Sequence, residues 1–203
     1  MPRIWEGGVA VCIGGGPSLS QDQVDLIEDA KWAGKAHVIA INNAYIVAPW
    51  ADVLYACDRI WWDWHYEGTR FFEGMRITRD RFAKKKYPDL IWIEGETHNR
   101  GLSKRQDSIV NGEIGGYQAI NLAVNFGAKK ILLIGYDMRT VKGQSHWHGD
   151  HPNHQRSFFG HHVAHFRNMV PDLEERAIQV INCTPGSAID AFPFGDLEDE
   201  LEH

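Results

Sequence analysis

The chain has 203 residues, 43% of them hydrophobic, and a formal net charge of −6. That length supports one ordinary globular domain with a real core, expected over residues 1–200. No basic tract exceeds Lys84–Lys85–Lys86, which argues against a footprint on duplex nucleic acid. Cys12, Cys57 and Cys183 are far apart and sit in or beside apolar runs, so they read as core residues of a reducing compartment. No signal peptide opens the chain, and no apolar run approaches the roughly 18 residues of a membrane span. A soluble, cytoplasmic protein is expected. The closing Leu201–Glu202–His203 resembles the start of a vector-derived tag and is set aside.

In chain order, the apolar run 9–13 leads directly into Gly14, Gly15, Gly16, Pro17 and Ser18. A helix over Gln21–Trp32 follows, with Ser20 and Gln23 spaced as a capping box. Strand, glycine-rich turn and helix together make a phosphate site, because glycines admit the ligand and helix N–H groups face it. The spelling is neither the dinucleotide fingerprint nor a Walker loop. The plainer alternative is a turn that needs glycine for steric reasons.

Further strands are predicted at 37–41, 53–57, 90–94, 130–135 and 177–182, all near-continuously apolar as doubly covered strands are. Helices are predicted over Gly116–Phe126, stopped by Gly127, and over Gln155–Val170, interrupted at Pro171. The alternation predicts a single Rossmann-like α/β fold: a doubly wound, mostly parallel sheet with helices on both faces. Two stretches break the rhythm, the Trp-rich 58–86 and the His-rich 137–160, and both are expected to be functional loops.

Ligands in such folds sit beyond the carboxyl ends of the strands. Asn42 and Asn43 stand there after the second strand, as ligand contacts or turn residues. Asp58 stands there after the third, to contact ligand or cap a helix, beside Trp61, Trp62 and Trp64, which form core or a stacking wall. Gly115 and Gly116 open a second glycine-led helix, which favours a polyanion lying between the two glycine turns. Asp137 ends the strongest strand, where it would orient a histidine, contact ligand or simply close the strand.

Seven of the eleven histidines lie between His146 and His165. His146, His148, Asp150 and His151 spell an H-x-H-x-D-H metal motif, yet only about 50 residues remain to supply the further ligands that motif's fold needs. A looser metal site on His161 and His165, at helical i, i+4 spacing, stays open. General acid–base work and phosphate contact are the commoner uses of such a loop.

The order of motifs resembles a Rossmann-like superfamily that includes motility-accessory-factor and 6-hydroxymethylpterin-diphosphokinase-like proteins, with related bacterial sialyltransferases. The residues that carry it are Gly14-Gly15-Gly16-Pro17-Ser18-Leu19 and the block from Gly115-Gly116-Tyr117 through Gly127 to Gly135-Tyr136-Asp137. Short phage-encoded members are similar in the His-rich loop and in Ile181-Asn182-Cys183-Thr184-Pro185-Gly186-Ser187. The resemblance implies that Gly14–Ser18, Asn42, Asn43 and Gly115–Gly116 hold a nucleotide or nucleotide-sugar. It also implies a base among His146, His148 and His151. Gly15 departs from the sialyltransferases, which carry Asn there.

The expected function is a nucleotide-dependent, glycosyltransferase-like transferase acting on an unidentified acceptor. Asp137 or Asp150 would orient the base, and a divalent metal is allowed but not required. The alternatives are a diphosphokinase-like enzyme, a metal-dependent hydrolase on the histidine loop and a non-catalytic nucleotide-sequestering protein. The aromatic content allows a homodimer without demanding one.

Overall fold

The computed structural model describes residues 2–149 and 159–202. The first strand, β1 (Val9–Ile13), is followed by α1 (Gln21–Trp32), whose start carries the predicted capping box between Ser20 and Gln23. Next come β2 (His37–Ile41), a 3-10 turn over Asn42–Ile46, β3 (Val53–Tyr55) and α2 (Arg59–His65). The chain continues through β4 (Met75–Thr78), α3 (Arg81–Lys86) and β5 (Ile91–Trp92). A small parallel pair, β6 (Glu94–Glu96) and β7 (Ser108–Val110), precedes α4 (Gly115–Phe126) and β8 (Lys130–Ile134). Last are α5 (Phe159–Phe166), α6 (Val170–Glu175), β9 (Gln179–Asn182) and α7 (Leu197–Glu202).

Seven strands form one parallel sheet in the order β5-β4-β3-β2-β1-β8-β9. The inner strand β1 sets Cys12 beside Ile39 of β2 and Leu133 of β8. Alternate residues of each strand feed opposite faces. Cys12, Ile39, Tyr55 and Leu133 share one core with Ile120 of α4, Phe166 of α5 and Leu173 of α6. Val11, Val38, Leu54 and Leu132 share the other with Ile27 of α1, Trp61 and Trp62 of α2 and Leu197 of α7. Both faces are covered, so the doubly wound architecture follows from the unbroken apolar strands.

Three local expectations change. The stretch 58–86 is not a loop: it holds α2, β4 and α3, because Ile77 and Ala83 are buried and Asp80 caps α3 through the Phe82 and Ala83 N–H groups. The run 90–94 is split, with Ile91–Trp92 on the edge of the main sheet and Glu94 already in β6. The helix expected over Gln155–Val170 ends at Phe166, and its expected first residues, 155–158, lie outside the described residues; Pro171 then lies in the first turn of α6, where its missing N–H costs nothing. Leu201 belongs to the last turn of α7 and is buried in the second core.

The cysteines are unpaired, with Cys12 and Cys183 buried. No helix among the described residues is long and apolar enough to cross a membrane.

One buried polar link ties the sheet to the start of α4. Tyr55 Oη donates to Gln118 Oε1 at 2.7 Å, and Gln118 Nε2 donates to the Asn111 carbonyl at 2.5 Å. Tyr55 is fully buried and Gln118 nearly so. Tyr55→Phe removes the donor and strands the amide oxygen, so urea unfolding should show a loss of about 1–3 kcal/mol. A loss near zero would mean that Gln118 does not depend on this bond.

Candidate functional site

The chain runs outward from β1 in both directions, through β2 on one side and β8 on the other. The crevice beyond the carboxyl ends of β1 and β8 is therefore the topological switch point of the sheet. A cavity of about 310 Å³ opens there, and Gly14, Gly15, Gly16, Asn42, Asn43, Asp58, Gly115, Gly116, His146 and His148 all line it. Pro17, Ser18 and Asp137 do not. Asp150 and His151 lie outside the described residues.

The glycine loop after β1 is tied down by its own neighbours. Gly14 N–H donates to the Ile134 carbonyl, Gly16 N–H to that of Gly135 and Leu19 N–H to that of Gly16. Ser18 gives both its N–H and its hydroxyl to the Asp137 carboxylate, the hydroxyl at 2.8 Å. A Cβ on Gly16 would stand 2.0 Å from Asp137 Oδ2 and 2.5 Å from the Gly135 carbonyl. Gly16 is needed because two strand-end loops cross there. The expected cradle of N–H groups over Gly15–Ser18 is thus largely spent inside the protein, and α1 has its own cap.

The start of α4 is different. Its N-cap, Ile114, offers no side-chain bond, so the N–H groups of Gly115, Gly116 and Tyr117 have no helical partner. Gly115 and Gly116 line the cavity, and the positive end of the helix dipole points the same way. Tyr136 closes over Gly116, where a Cβ would meet its ring at 2.8 Å. Its hydroxyl donates to the Gly116 carbonyl at 3.1 Å.

Asn43 is buried and already engaged. Its Oδ1 accepts Trp61 Nε1–H at 2.8 Å, and its Nδ2 stands 3.4 Å from His148 Nδ1. Indole N–H can only donate, which fixes the Asn43 amide and makes its Nδ2 the donor to His148. His148 stacks on His146 with centroids 5.1 Å apart. The loop carrying both is held to the glycine loop by Trp147 N–H donating to the Gly15 carbonyl at 3.1 Å. Trp61 and Trp62 are core residues packed edge to face, and no tryptophan lines the cavity, so the stacking wall is absent from it. Asp58 lies at the rim, accepting Cys57 Sγ–H at 3.2 Å; burial, reinforced by that carboxylate, pushes the thiol well above its usual range.

Several lining residues carry no sequence motif: Glu113, Met138, Ser145, Phe159 and His162. Backbone conformation marks two of them. Five non-glycine residues have positive φ among those described, and Asn42, Glu113 and Met138 all face this cavity. Such strain persists where surrounding structure enforces it, and it concentrates at ligand sites.

Glu113 also gathers histidines from α5. Its Oε2 is 3.3 Å from His161 Nε2 and 3.9 Å from both His162 Nδ1 and His165 Nδ1. The two latter nitrogens are buried and make no hydrogen bond. Burial holds the His162 imidazole below its ordinary pKa, against the pull of Glu113. Asn99 Nδ2 donates to the other carboxylate oxygen of Glu113 at 2.7 Å.

A parallel sheet covered on both faces, with a cavity at the switch point, defines a Rossmann-like α/β protein. The fold is similar to that of the solved MAf glycosyltransferase from Magnetospirillum magneticum AMB-1, with a TM-score of 0.62 at 14% identity. The match covers 95% of this chain and 34% of that protein, so this chain spans about a third of its length. No protein-family model and no curated protein matches the chain.

The clasp of Asp137 on Ser18 makes a direct prediction. Asp137→Ala removes a carboxylate that accepts two donors in a buried setting, which should cost about 1.5–3 kcal/mol in chemical denaturation. Faster amide exchange over 14–18 should accompany the loss. Unchanged exchange there would show that the loop holds its shape without the clasp.

Proposed function

We propose that the chain binds a nucleotide-linked donor in the switch-point cavity and transfers its glycosyl group. The observation that carries this reading is the uncapped, glycine-led start of α4 opening into that cavity. The glycosyltransferase whose fold this chain shares supports the choice of reaction. The phosphate of the donor rests on the N–H groups of Gly115 and Gly116, not on the loop after β1. Gly15 keeps the opposite wall low, since a Cβ there would sit 3.5 Å from His146 Nδ1 and 3.8 Å from His148 Nε2.

The two histidines take different roles. His148 Nδ1 accepts from Asn43, so the neutral ring carries its proton on Nε2, the nitrogen that faces Gly15. That N–H donates to the leaving phosphate. His146 is the base: it removes the acceptor hydroxyl proton as the acceptor oxygen bonds to the sugar carbon. The sugar–phosphate C–O bond breaks, and the charge left on phosphate is met by the α4 N–H groups and His148. Asn42, with its strained backbone at the rim, contacts the sugar or base of the donor.

Thermal unfolding against a panel of nucleotides and nucleotide-sugars tests this, because a bound ligand raises the midpoint by mass action. One base should give a shift, and its sugar-linked form a larger one. Gly15→Ala should abolish the shift while leaving the unliganded midpoint unchanged, since its Cβ makes only ordinary contacts. The absence of any shift across the panel overturns the reading. A shift without turnover of any donor would assign a sequestering protein instead.

His146→Ala should lower kcat by about 10²–10⁴-fold, the usual worth of a general base, with donor affinity within a few-fold. If His146→Ala instead loses donor affinity with kcat intact, the ring is a ligand contact.

A further inference from the structure

We propose that Glu113, His161 and His165 bind one divalent transition-metal ion of the zinc class at the mouth of the cavity. The three residues come from helix α5 and the turn before α4, and the two helices also meet through Tyr117 and Phe166. Helix α5 places His161 and His165 one turn apart, and Glu113 projects from the positive-φ turn just before α4, at φ 62°. Their ligand atoms all lie within 4.8 Å of one another.

One ligand separation matches that of a tetrahedral ion and a second is somewhat longer. Ligands about 2.0–2.1 Å from zinc stand about 3.3 Å apart. His161 Nε2 is 3.3 Å from Glu113 Oε2, and His165 Nδ1 is 3.9 Å from it. Two imidazoles and one carboxylate form a borderline donor set, which prefers zinc, cobalt or nickel to magnesium or calcium. Asn99, bonded to the second carboxylate oxygen, holds the ligand face of Glu113 toward α5.

Two further observations point to a cation. His165 Nδ1 is buried and makes no hydrogen bond, although its carboxylate neighbour is the same oxygen that His161 approaches. The cavity itself is lined by the carboxylates of Asp58 and Glu113 and by no Lys or Arg among the described residues. A phosphate entering it meets two negative groups and only helix-dipole and imidazole donors. An ion on Glu113 reverses that sign. Three protein ligands also leave a fourth position open. Resting on the proposed donor site, that position takes a phosphate oxygen of the donor.

The test uses the full chain without any added affinity tag, stripped of metal and titrated with zinc against a chromophoric chelator. One equivalent should bind, and cobalt in its place should give visible d–d absorption of a four- or five-coordinate ion. Glu113→Gln should weaken binding by more than the roughly 10–100-fold that losing an outer-shell partner costs. His161→Gln should do the same, and this side chain is 70% exposed, so folding is not at stake. Asn99→Ala should fall within the 10–100-fold range. Zinc affinity unchanged in Glu113→Gln and His161→Gln overturns the site. So does binding that only His146→Ala abolishes, which would move the ion to the other histidine loop.

The titration contains no nucleotide, so it stands or falls apart from the donor panel, which is run both with and without zinc. With both present, zinc and donor should tighten one another by the same factor. Equal affinities with and without the partner overturn the shared phosphate position while leaving each separate result in place.

Discussion

The carboxylate of Asp137 takes the N–H and the hydroxyl of Ser18, and Gly16 passes so close beneath it that no side chain fits. This crossing joins the ends of β1 and β8, the two strands from which the chain departs in opposite directions. From it follow the position of Gly15, the contact of Gly15 with the histidine loop and the wall of the cavity. The 184–188 segment braces the same point from behind. Thr184 Oγ1 accepts the Tyr136 N–H, the Ser187 hydroxyl donates to the Tyr136 carbonyl, and Ala188 N–H donates to the Asp137 carbonyl. The mouth of the cavity is therefore held by charge-assisted and backbone bonds, while its ligand contacts come from less constrained groups.

Two glycine-led helix starts divide the work between them. The one before α1 is consumed in joining strands, and the helix beyond it is capped by its own Ser20 and Gln23. The one before α4 is anchored from below by Tyr55 and Gln118, and it leaves its first N–H groups facing the cavity. Glycine thus serves close packing in the first case, and in the second Gly116 makes room for Tyr136 while Gly115 gives access, although the two stretches read alike. The distinction rests on what lies opposite: Asp137 and the Gly135 carbonyl for Gly16, and the methyl of Ile41 at 3.3 Å for Gly115.

Much of the sheet was legible in the chain, because strands covered on both faces must be apolar at successive positions. The runs at 9–13 and 37–41 are strands over those same residues, and α1 keeps its predicted bounds. The edge was harder to read. Strand β4 alternates Met75, Arg76, Ile77 and Thr78, too short and too polar to stand out, and Ile91–Trp92 makes only a two-residue pairing. Among the site residues, glycines and histidines were visible as types, but their partners were not. That Ser18 turns inward to Asp137, that Asn43 is claimed by Trp61, and that Glu113 meets α5 are facts of tertiary approach. They join residues 18 to 119 positions apart, and no local period reports them.

Among the described strands β1 comes first in sequence, yet it lies inside the sheet, between β2 and β8. Val9–Ile13 finds β2 within a few dozen residues, but its other flank is filled by Lys130–Ile134. During synthesis, then, β1 leaves the ribosome with one row of backbone donors and acceptors waiting for a segment more than a hundred residues behind it. Until β8 arrives there is no crossing at Gly16, no cavity and no covered edge. A nascent chain halted before residue 130 is thus a sticky, functionless sheet margin, and chaperone demand should peak in that interval and subside once β8 docks.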